Sequence, residues 1–355
     1  MKGLGTDEDA IIEILVNRSL SQRQEIKIAY KSTIGRDLID DLKSELSKNF
    51  ERVIIGMMTP LTLYDVEELR RAMKGAGTDE GCLIEILASR TNEEMRRIND
   101  TYRRQYGTTL EKDIASDTSS KDESSHVDQG LVQEDAKCLY EAGENRWGTS
   151  EGQFITILCS RSRSHLLRVF DEYKNIAKKD ITESIKSEMS GDLEDALLAI
   201  VKCMRNKPAY FAERLYKSMK GLGTDDDTLI RLMVSRCEID MIDIKGEFKR
   251  ILKKDFSPCF ETDFGPLVPG IHLIQGFFFL LECEQRNFTT REAVAGKKAR
   301  GSDLIEDSFA GVVVSVSLSL VEKEALLLKS QTSVEKEALL LRSQTFSCIN
   351  SSARQ

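Results

Sequence analysis

An all-α fold made of four copies of one helical unit is predicted by three features of the chain. A loop of the form Lys-Gly-x-Gly-Thr-Asp returns about every seventy residues. Apolar residues on either side of it follow helical spacing. Of the 355 residues, 31% are charged, 6% are aromatic and five are proline, a composition that favours helices over a β-sandwich. A chain of this length holds either two or more ordinary domains of ~100–200 residues or an array of small units, and internal repetition favours the array.

The loops are Lys2-Gly3-Leu4-Gly5-Thr6-Asp7, Lys74-Gly75-Ala76-Gly77-Thr78-Asp79 and Lys220-Gly221-Leu222-Gly223-Thr224-Asp225, with Arg146-Trp147-Gly148-Thr149 as a variant. Each is followed by an arginine (Arg18, Arg90, Arg161, Arg236) thirteen residues after its last glycine. In the second copy Val66, Leu69 and Met73 precede the loop on one helical face, and Leu83, Ile86 and Leu87 follow it on another. A third helix starts at a capping box, Thr91 with Glu94, and carries Met95, Ile98, Tyr102 and Tyr106 on one side; Ser19 with Gln22 repeats that start in the first copy. Residues 110–115 suit a short fourth helix. A fifth is expected in the first copy, with Phe50, Val53, Ile54 and Met57 inward, and in the third, with Leu193, Leu197, Ile200 and Val201 inward.

A Gly-x-Gly-Thr loop between helices has a structural use, since glycine ends one helix in a left-handed conformation and threonine N-caps the next. A second regularity points to more. Forty-two residues after Gly3, Gly75, Arg146 and Gly221 stand Glu45, Asp117, Glu188 and Asp263. Equal spacing across three intervening helices is expected to return each acid to its own loop. A helix end leaves up to four carbonyl oxygens unpaired at the negative pole of the helix dipole, and glycines let further carbonyls turn inward. Adding a bidentate carboxylate gives about five oxygens, short of the 6–8 that calcium takes. Water or a phosphate oxygen is expected to complete the shell, so that the ion bridges protein and lipid headgroup. The net charge of −8 opposes direct attraction to nucleic acid or to an anionic bilayer, which makes a bridging cation necessary.

With its Lys-Gly-x-Gly-Thr-Asp loops and their downstream acids, the chain resembles the annexin family over residues 1–250. The resemblance implies a curved, right-handed superhelical disc of four annexin-type repeats of about five helices each, with calcium loops on the convex face. It also implies peripheral, calcium-dependent binding to phosphatidylserine-type anionic phospholipid membranes, with vesicle aggregation, exocytosis and self-association on the membrane as further expectations. The repeats fall at 1–59, 60–128, 129–206 and 207–263, followed by an atypical tail over 264–355. Carried over by position, the calcium ligands are the carbonyls of Met1, Gly3 and Gly5 with Glu45; Met73, Gly75 and Gly77 with Asp117; Gly143, Arg146 and Gly148 with Glu188; and Met219, Gly221 and Gly223 with Asp263. Trp147, the single tryptophan, stands at the third loop tip and either enters the lipid interface or packs inside the protein.

The chain departs from the family pattern at several points. The first unit opens at its loop with no preceding helix, which is expected to weaken the first site. Residues 119–128 are polar where a fifth helix belongs. Pro258 and Pro266 interrupt the end of the fourth unit, and Asp263 keeps its spacing in an altered setting. Residues 264–355 match nothing in the family, and their last part repeats itself, 321–332 against 334–345.

Other functions fit less well. A dinucleotide cradle needs a preceding strand and a third glycine. His165 has no nucleophile partner by motif and is read as a surface or packing residue, so no enzyme is expected. Asp7-Glu8-Asp9 and Asp225-Asp226-Asp227 lack the alternating ligands of an EF-hand and are read as favouring a helix N-terminus. The eight cysteines are scattered, without a Cys-x-x-Cys pair, which argues against zinc and suits a reduced, cytoplasmic protein recruited to plasma and vesicle membranes when calcium rises. Neither a secretory leader nor a membrane span is expected. The alternative function is a protein–protein scaffold of helical repeats with weak or no membrane binding.

Overall fold

The structure, a computed structural model, describes residues 6–74, 77–114, 127–143, 150–220 and 223–252, with the side chains of Asp9 and Leu252 left out. Among the described residues every regular element is an α-helix: α1 (Glu8–Val16), α2 (Leu20–Ile34), α3 (Leu38–Glu45), α4 (Lys48–Met58), α5 (Leu61–Ala72), α6 (Glu80–Ser89), α7 (Asn92–Tyr106), α8 (Leu110–Ile114), α9 (Gln129–Ala142), α10 (Glu151–Ser160), α11 (Arg163–Ala177), α12 (Ile181–Glu188), α13 (Gly191–Met219), α14 (Asp226–Arg236) and α15 (Met241–Leu252). None of these is long and apolar enough to cross a membrane. The expected loss of a helix over 119–128 and the unusual features after Arg250, Asp263 and the tail among them, lie almost entirely outside the described residues.

The boundaries follow from side-chain capping. Both predicted capping boxes are formed. Ser19 accepts from the Gln22 amide while the Gln22 side chain accepts from the Ser19 amide at 3.0 Å, and Thr91 and Glu94 do the same around the start of α7. Helices α2 and α7 end at Gly35 (φ 81°) and Gly107 (φ 69°), left-handed positions that glycine adopts at no steric cost. The matching helix α11 ends in the same conformation at Lys178 (φ 59°). Helix α13 is two helices meeting at Asn206 (φ −154°, ψ 94°), just before Pro208. The Asn206 side chain accepts from the Ala209 amide at 3.0 Å and so caps the second segment.

The described helices belong to two compact units. Of the described residues, those of 6–108 and 199–252 form the first and those of 109–198 the second. In the first unit, α5 packs on α6 and α7, α14 packs on α4 and α5, and α2 packs on α3 and α4. The predicted core is present there: Val66, Leu69, Leu83, Ile86, Leu87, Met95, Ile98 and Tyr102 are buried, as are Phe50, Val53, Ile54 and Met57 on α4. Each such side chain contributes ~1.5–3 kcal/mol through removal from water. At Gly56 a Cβ would stand 3.0 Å from Val234 and 3.1 Å from Tyr64, so any larger residue would make those side chains give way where α4 meets α14. In the second unit α9 takes the part of α5, packing on α10 and α11, while α12 packs on α11. Leu193 and Leu197 are buried, as predicted, and so are Ile200 and Val201 further along α13.

The arginines at fixed spacing explain themselves in this packing. Arg90 forms a two-pronged pair with Asp65 of α5 at 2.7 and 2.8 Å, and Arg161 forms the same pair with Asp135 of α9 at 2.6 and 2.9 Å. Each ties the helix before the loop to the end of the helix after it. Phe211 stands where the fourth copy would need that aspartate. Arg236 stacks over its ring at 4.4 Å and pairs with Asp240 instead. Arg18 turns to the Asn17 carbonyl. His165 is not a surface residue: it is 4% exposed and its Nε2 lies 2.8 Å from the Asp135 carboxylate, a buried polar role fixed by packing.

Candidate metal centres

Three loops leave helix C-termini in a common way. The Asp79 amide donates to the Ala72 carbonyl at 2.8 Å, Ser150 to Ala142 at 2.9 Å and Asp225 to Ser218 at 2.8 Å, so the residue that begins the next helix returns to the last turn of the previous one. The closures span 79 − 72 = 7, 150 − 142 = 8 and 225 − 218 = 7 residues, which leaves one extra residue in the third loop. That insertion is why Gly143, directly after Ala142, corresponds to Met73, directly after Ala72. Gly77 (φ 138°) and Gly223 (φ 96°) take backbone conformations closed to most side chains and are exposed.

In the first, second and fourth loops the threonine expected to cap the next helix does not do so. Asp7, Asp79 and Asp225 are the caps, accepting from the amides of Ala10, Cys82 and Thr228 at 2.9–3.0 Å. A carboxylate at this place also meets the positive end of the helix dipole, so the aspartates of the two acidic triplets serve the helix start as expected, by direct hydrogen bonds. The threonine hydroxyl is thereby released for another partner. In the first loop Thr6 Oγ1 donates to Glu45 Oε2 at 2.7 Å, across 39 residues of chain. Glu45 thus meets the threonine of the loop from which its spacing was counted.

Glu45 and Glu188 occupy equivalent places, each the last residue of a short helix. The chain then runs extended through Leu46 (ψ 163°) and Met189 (ψ 163°), whose amides return to the Leu42 and Ile185 carbonyls at 2.9 Å. The buried side chains of Leu46 and Met189 anchor these corners and leave Glu45 exposed and Glu188 half-buried. Of the other expected ligands, Gly143 and Met219 are buried and Met73 is half-buried. Met1, Gly3, Gly5, Gly75, Asp117, Arg146, Trp147, Gly148, Gly221 and Asp263 lie outside the described residues.

Carbonyls, a hydroxyl and a carboxylate make an oxygen-only donor set, which fits a hard cation such as calcium. Among the described residues no three His, Cys, Asp or Glu side chains gather into a group able to hold a metal.

One polar cluster escaped sequence reasoning. Arg231, with no exposure, and Glu85, 1% exposed, pair at 3.0 Å, and Arg214 joins them at 2.9 Å. Burial pushes the Glu85 carboxyl up, but the two guanidinium groups outweigh it and hold the carboxyl below its ordinary value. The signal was a single charge inside an apolar run, Leu83-Ile84-Glu85-Ile86 and Ile230-Arg231-Leu232.

Comparison with known proteins bears on the same residues. The family model described as Annexin matches residues 1–57, 64–125, 134–200 and 210–258. Annexin A4 of Bos taurus is 71% identical over 276 residues, covering 74% of this chain and 86% of that protein; annexin A4 of Homo sapiens is 70% identical over the same shares. Among solved structures, chicken annexin V matches with a TM-score of 0.71 at 48% identity, over 78% of this chain and 91% of that one. A calcium-bound annexin (Sm)1 matches with a TM-score of 0.65 at 30% identity, over 79% of this chain and 86% of that one. Four family matches along an all-helical chain, with relatives at this identity, show that the protein belongs to the annexin family, known for calcium-dependent phospholipid binding.

Proposed function

We propose that this chain binds anionic, phosphatidylserine-type phospholipid membranes peripherally through calcium ions held in its Gly-x-Gly-Thr loops. The observation that carries the proposal is the contact between Thr6 and Glu45, which brings a remote carboxylate to the loop its spacing assigns to it. The ligand sets are the carbonyls of Met1, Gly3 and Gly5 with Glu45; Met73, Gly75 and Gly77 with Asp117; Gly143, Arg146 and Gly148 with Glu188; and Met219, Gly221 and Gly223 with Asp263. Support for the third set comes from Glu188, which ends its helix as Glu45 does. Bound calcium supplies positive charge at the protein surface and open coordination positions for headgroup oxygens. The protein's part is to hold hard oxygens converging on one point and to leave one side open to the headgroup. With a net charge of −8, the metal-free protein is repelled by the same membrane, so recruitment follows calcium. Trp147 at the third loop tip enters the lipid interface, and the protein works at the cytoplasmic side of plasma and vesicle membranes, where it self-associates and brings vesicles together.

The test is sedimentation with vesicles containing phosphatidylserine. The protein should pellet in calcium, stay in solution after chelation, and ignore vesicles of phosphatidylcholine alone. Equal binding with and without calcium, or none in either, refutes the proposal. Trp147 offers a second readout, since its emission should shift to the blue only when calcium and anionic vesicles are both present.

A further inference from the structure

We infer that the face shared by α1 and α2 is a docking site for the duplicated tail segment, residues 321–345, of the same chain. The inference is independent of calcium and comes from setting the copies of the unit against one another. In the second copy α5 packs on α6 and α7, and in the third α9 packs on α10 and α11. Ile86 on α6 is 0% exposed and Ile157 on α10 is 4% exposed, but at the equivalent place on α1 Ile14 is 52% exposed. On the next helix Ile98 and Val169 are buried, whereas Ile26 of α2 is only half-buried. Arg90 and Arg161 each pair with an aspartate of the helix that packs over them. Arg18, at the same place in the first copy, is exposed and donates to the adjacent Asn17 carbonyl. Among the described residues, the first copy thus shows an apolar face with one exposed arginine where the second and third copies are covered.

The covering helices share a short signature. An anchoring aspartate is followed directly by valine or alanine and, three residues later, by leucine: Asp65, Val66 and Leu69 on α5, Asp135, Ala136 and Leu139 on α9. All six are buried, and α9 adds a buried Val132 three residues before its aspartate. The tail, outside the described residues, carries the α9 form of this signature twice, Val321-x-x-Glu324-Ala325-x-x-Leu328 and Val334-x-x-Glu337-Ala338-x-x-Leu341, with glutamate in place of aspartate. The match covers two turns and ends there, since Gln331 and Gln344 stand where α5 and α9 close with Ala72 and Ala142. Apart from its valine, each matching stretch is made of Glu, Lys, Ala and Leu, all good helix formers. On a helix the valine, alanine and leucine share one face with the acid beside them. Seated over α1 and α2 as α9 is seated over α10 and α11, either step brings apolar side chains to Ile14 and Ile26 and a carboxylate to Arg18. Roughly seventy residues separate Leu252 from Val321, enough to reach ~200 Å when extended, so chain length does not restrict the docking.

Hydrogen exchange on the full chain, read by mass spectrometry, tests this without any ion. Leu328→Asp with Leu341→Asp removes the inward leucine from both steps and should speed exchange in residues 8–34 about tenfold or more, the scale of uncovering one buried leucine. Leu326→Asp with Leu339→Asp alters the position that α9 gives to the exposed Lys137 and should leave that exchange unchanged. Ile14→Asp, made on the other side of the contact, should speed exchange in residues 321–345. Glu324→Arg with Glu337→Arg should open the contact, and Arg18→Glu added to them should restore it. Equal effects of the inward and outward leucine changes, or no effect of either on residues 8–34, overturn the inference. Failure of Arg18→Glu to restore protection overturns it too, as does protection that rises with protein concentration, the mark of a tail supplied by a second copy. Exchange in α6 and α7 of the same variants separates undocking from a failure to fold. Should the inward leucine change disturb those helices as well, the charge exchange at the exposed Arg18 decides, because it leaves the apolar core untouched.

Discussion

Removing Asp65 should cost this protein more stability than removing the aspartate that corresponds to it in the second unit. Arg90 is 1% exposed and its guanidinium meets the Asp65 carboxylate at 2.7 and 2.8 Å, with Ser89 Oγ at 3.0 Å from the remaining nitrogen. In Asp65→Ala two donors of a buried cation lose their acceptor, and no water reaches them to compensate. Breaking such a pair from one side costs ~3–5 kcal/mol, against a typical total of ~5–15 kcal/mol. The Asp135 pair differs in two respects: the Arg161 side chain is 31% exposed, so solvent takes over part of its hydrogen bonding, and the same carboxylate also lies 2.8 Å from the buried His165 Nε2. For Asp135→Ala the expected loss is ~1–3 kcal/mol, that of leaving a partly solvated guanidinium and one imidazole nitrogen unpaired. Urea unfolding followed by far-ultraviolet circular dichroism measures both. The double variant Asp65→Leu, Arg90→Leu should recover most of the loss, because apolar replacement of both partners removes the unpaired charge. A loss below ~1 kcal/mol for Asp65→Ala, or a larger loss for Asp135→Ala, refutes the reasoning.

Three further outcomes are expected. Glu85 is held below the ordinary 4.5 by Arg231 and Arg214 against the opposing effect of burial, so its pairing stabilises the fold fully above pH 4.5. That contribution is lost as pH falls further through the folded-state value; urea midpoints measured between pH 7 and 3 should fall less steeply in Glu85→Gln, and an unchanged slope would exclude Glu85 as a source of acid sensitivity. Lys178 closes α11 in the left-handed conformation that Gly35 and Gly107 adopt at the ends of α2 and α7, so Lys178→Gly should raise stability by up to ~1 kcal/mol, and a loss of stability would count against backbone strain there. Of the cysteines in described segments, Cys138 is half-exposed while Cys82, Cys159, Cys203 and Cys237 are buried, and burial pushes the Cys203 thiol up to about 12. Alkylation mapped by mass spectrometry should therefore modify Cys138 first, with early labelling of Cys203 as the contrary result.

Local chemistry made much of this protein readable before any coordinates. A capping box is complete within four residues, and an apolar stripe within three turns, so α2 and α7, the inward face of α4 and the order of helices around each loop follow from sequence alone. Repetition extended that reach, because Glu45 could be matched to its loop by counting.

What remained hidden depends on groups far apart in the chain. In the first, second and fourth loops threonine and aspartate are both good N-caps by composition, and in all three the aspartate serves, whether the hydroxyl turns to a remote acid, as that of Thr6 does, or to a neighbour, as that of Thr224 does. Thr6 and Thr224 have nearly the same neighbours in sequence and different partners in space. Asp135 and Asp65 could not be recognised as anchors for Arg161 and Arg90 until α9 and α5 were packed against the ends of α10 and α6, and Phe211 shows that the anchor is not repeated in every copy. Sequence by itself determined the repeated helical unit and singled out Glu45 by its spacing from the first loop. Only tertiary structure decided which hydroxyl holds that acid and which charges are buried, since a hydrogen bond is set by distances of a few ångströms that no spacing along the chain specifies.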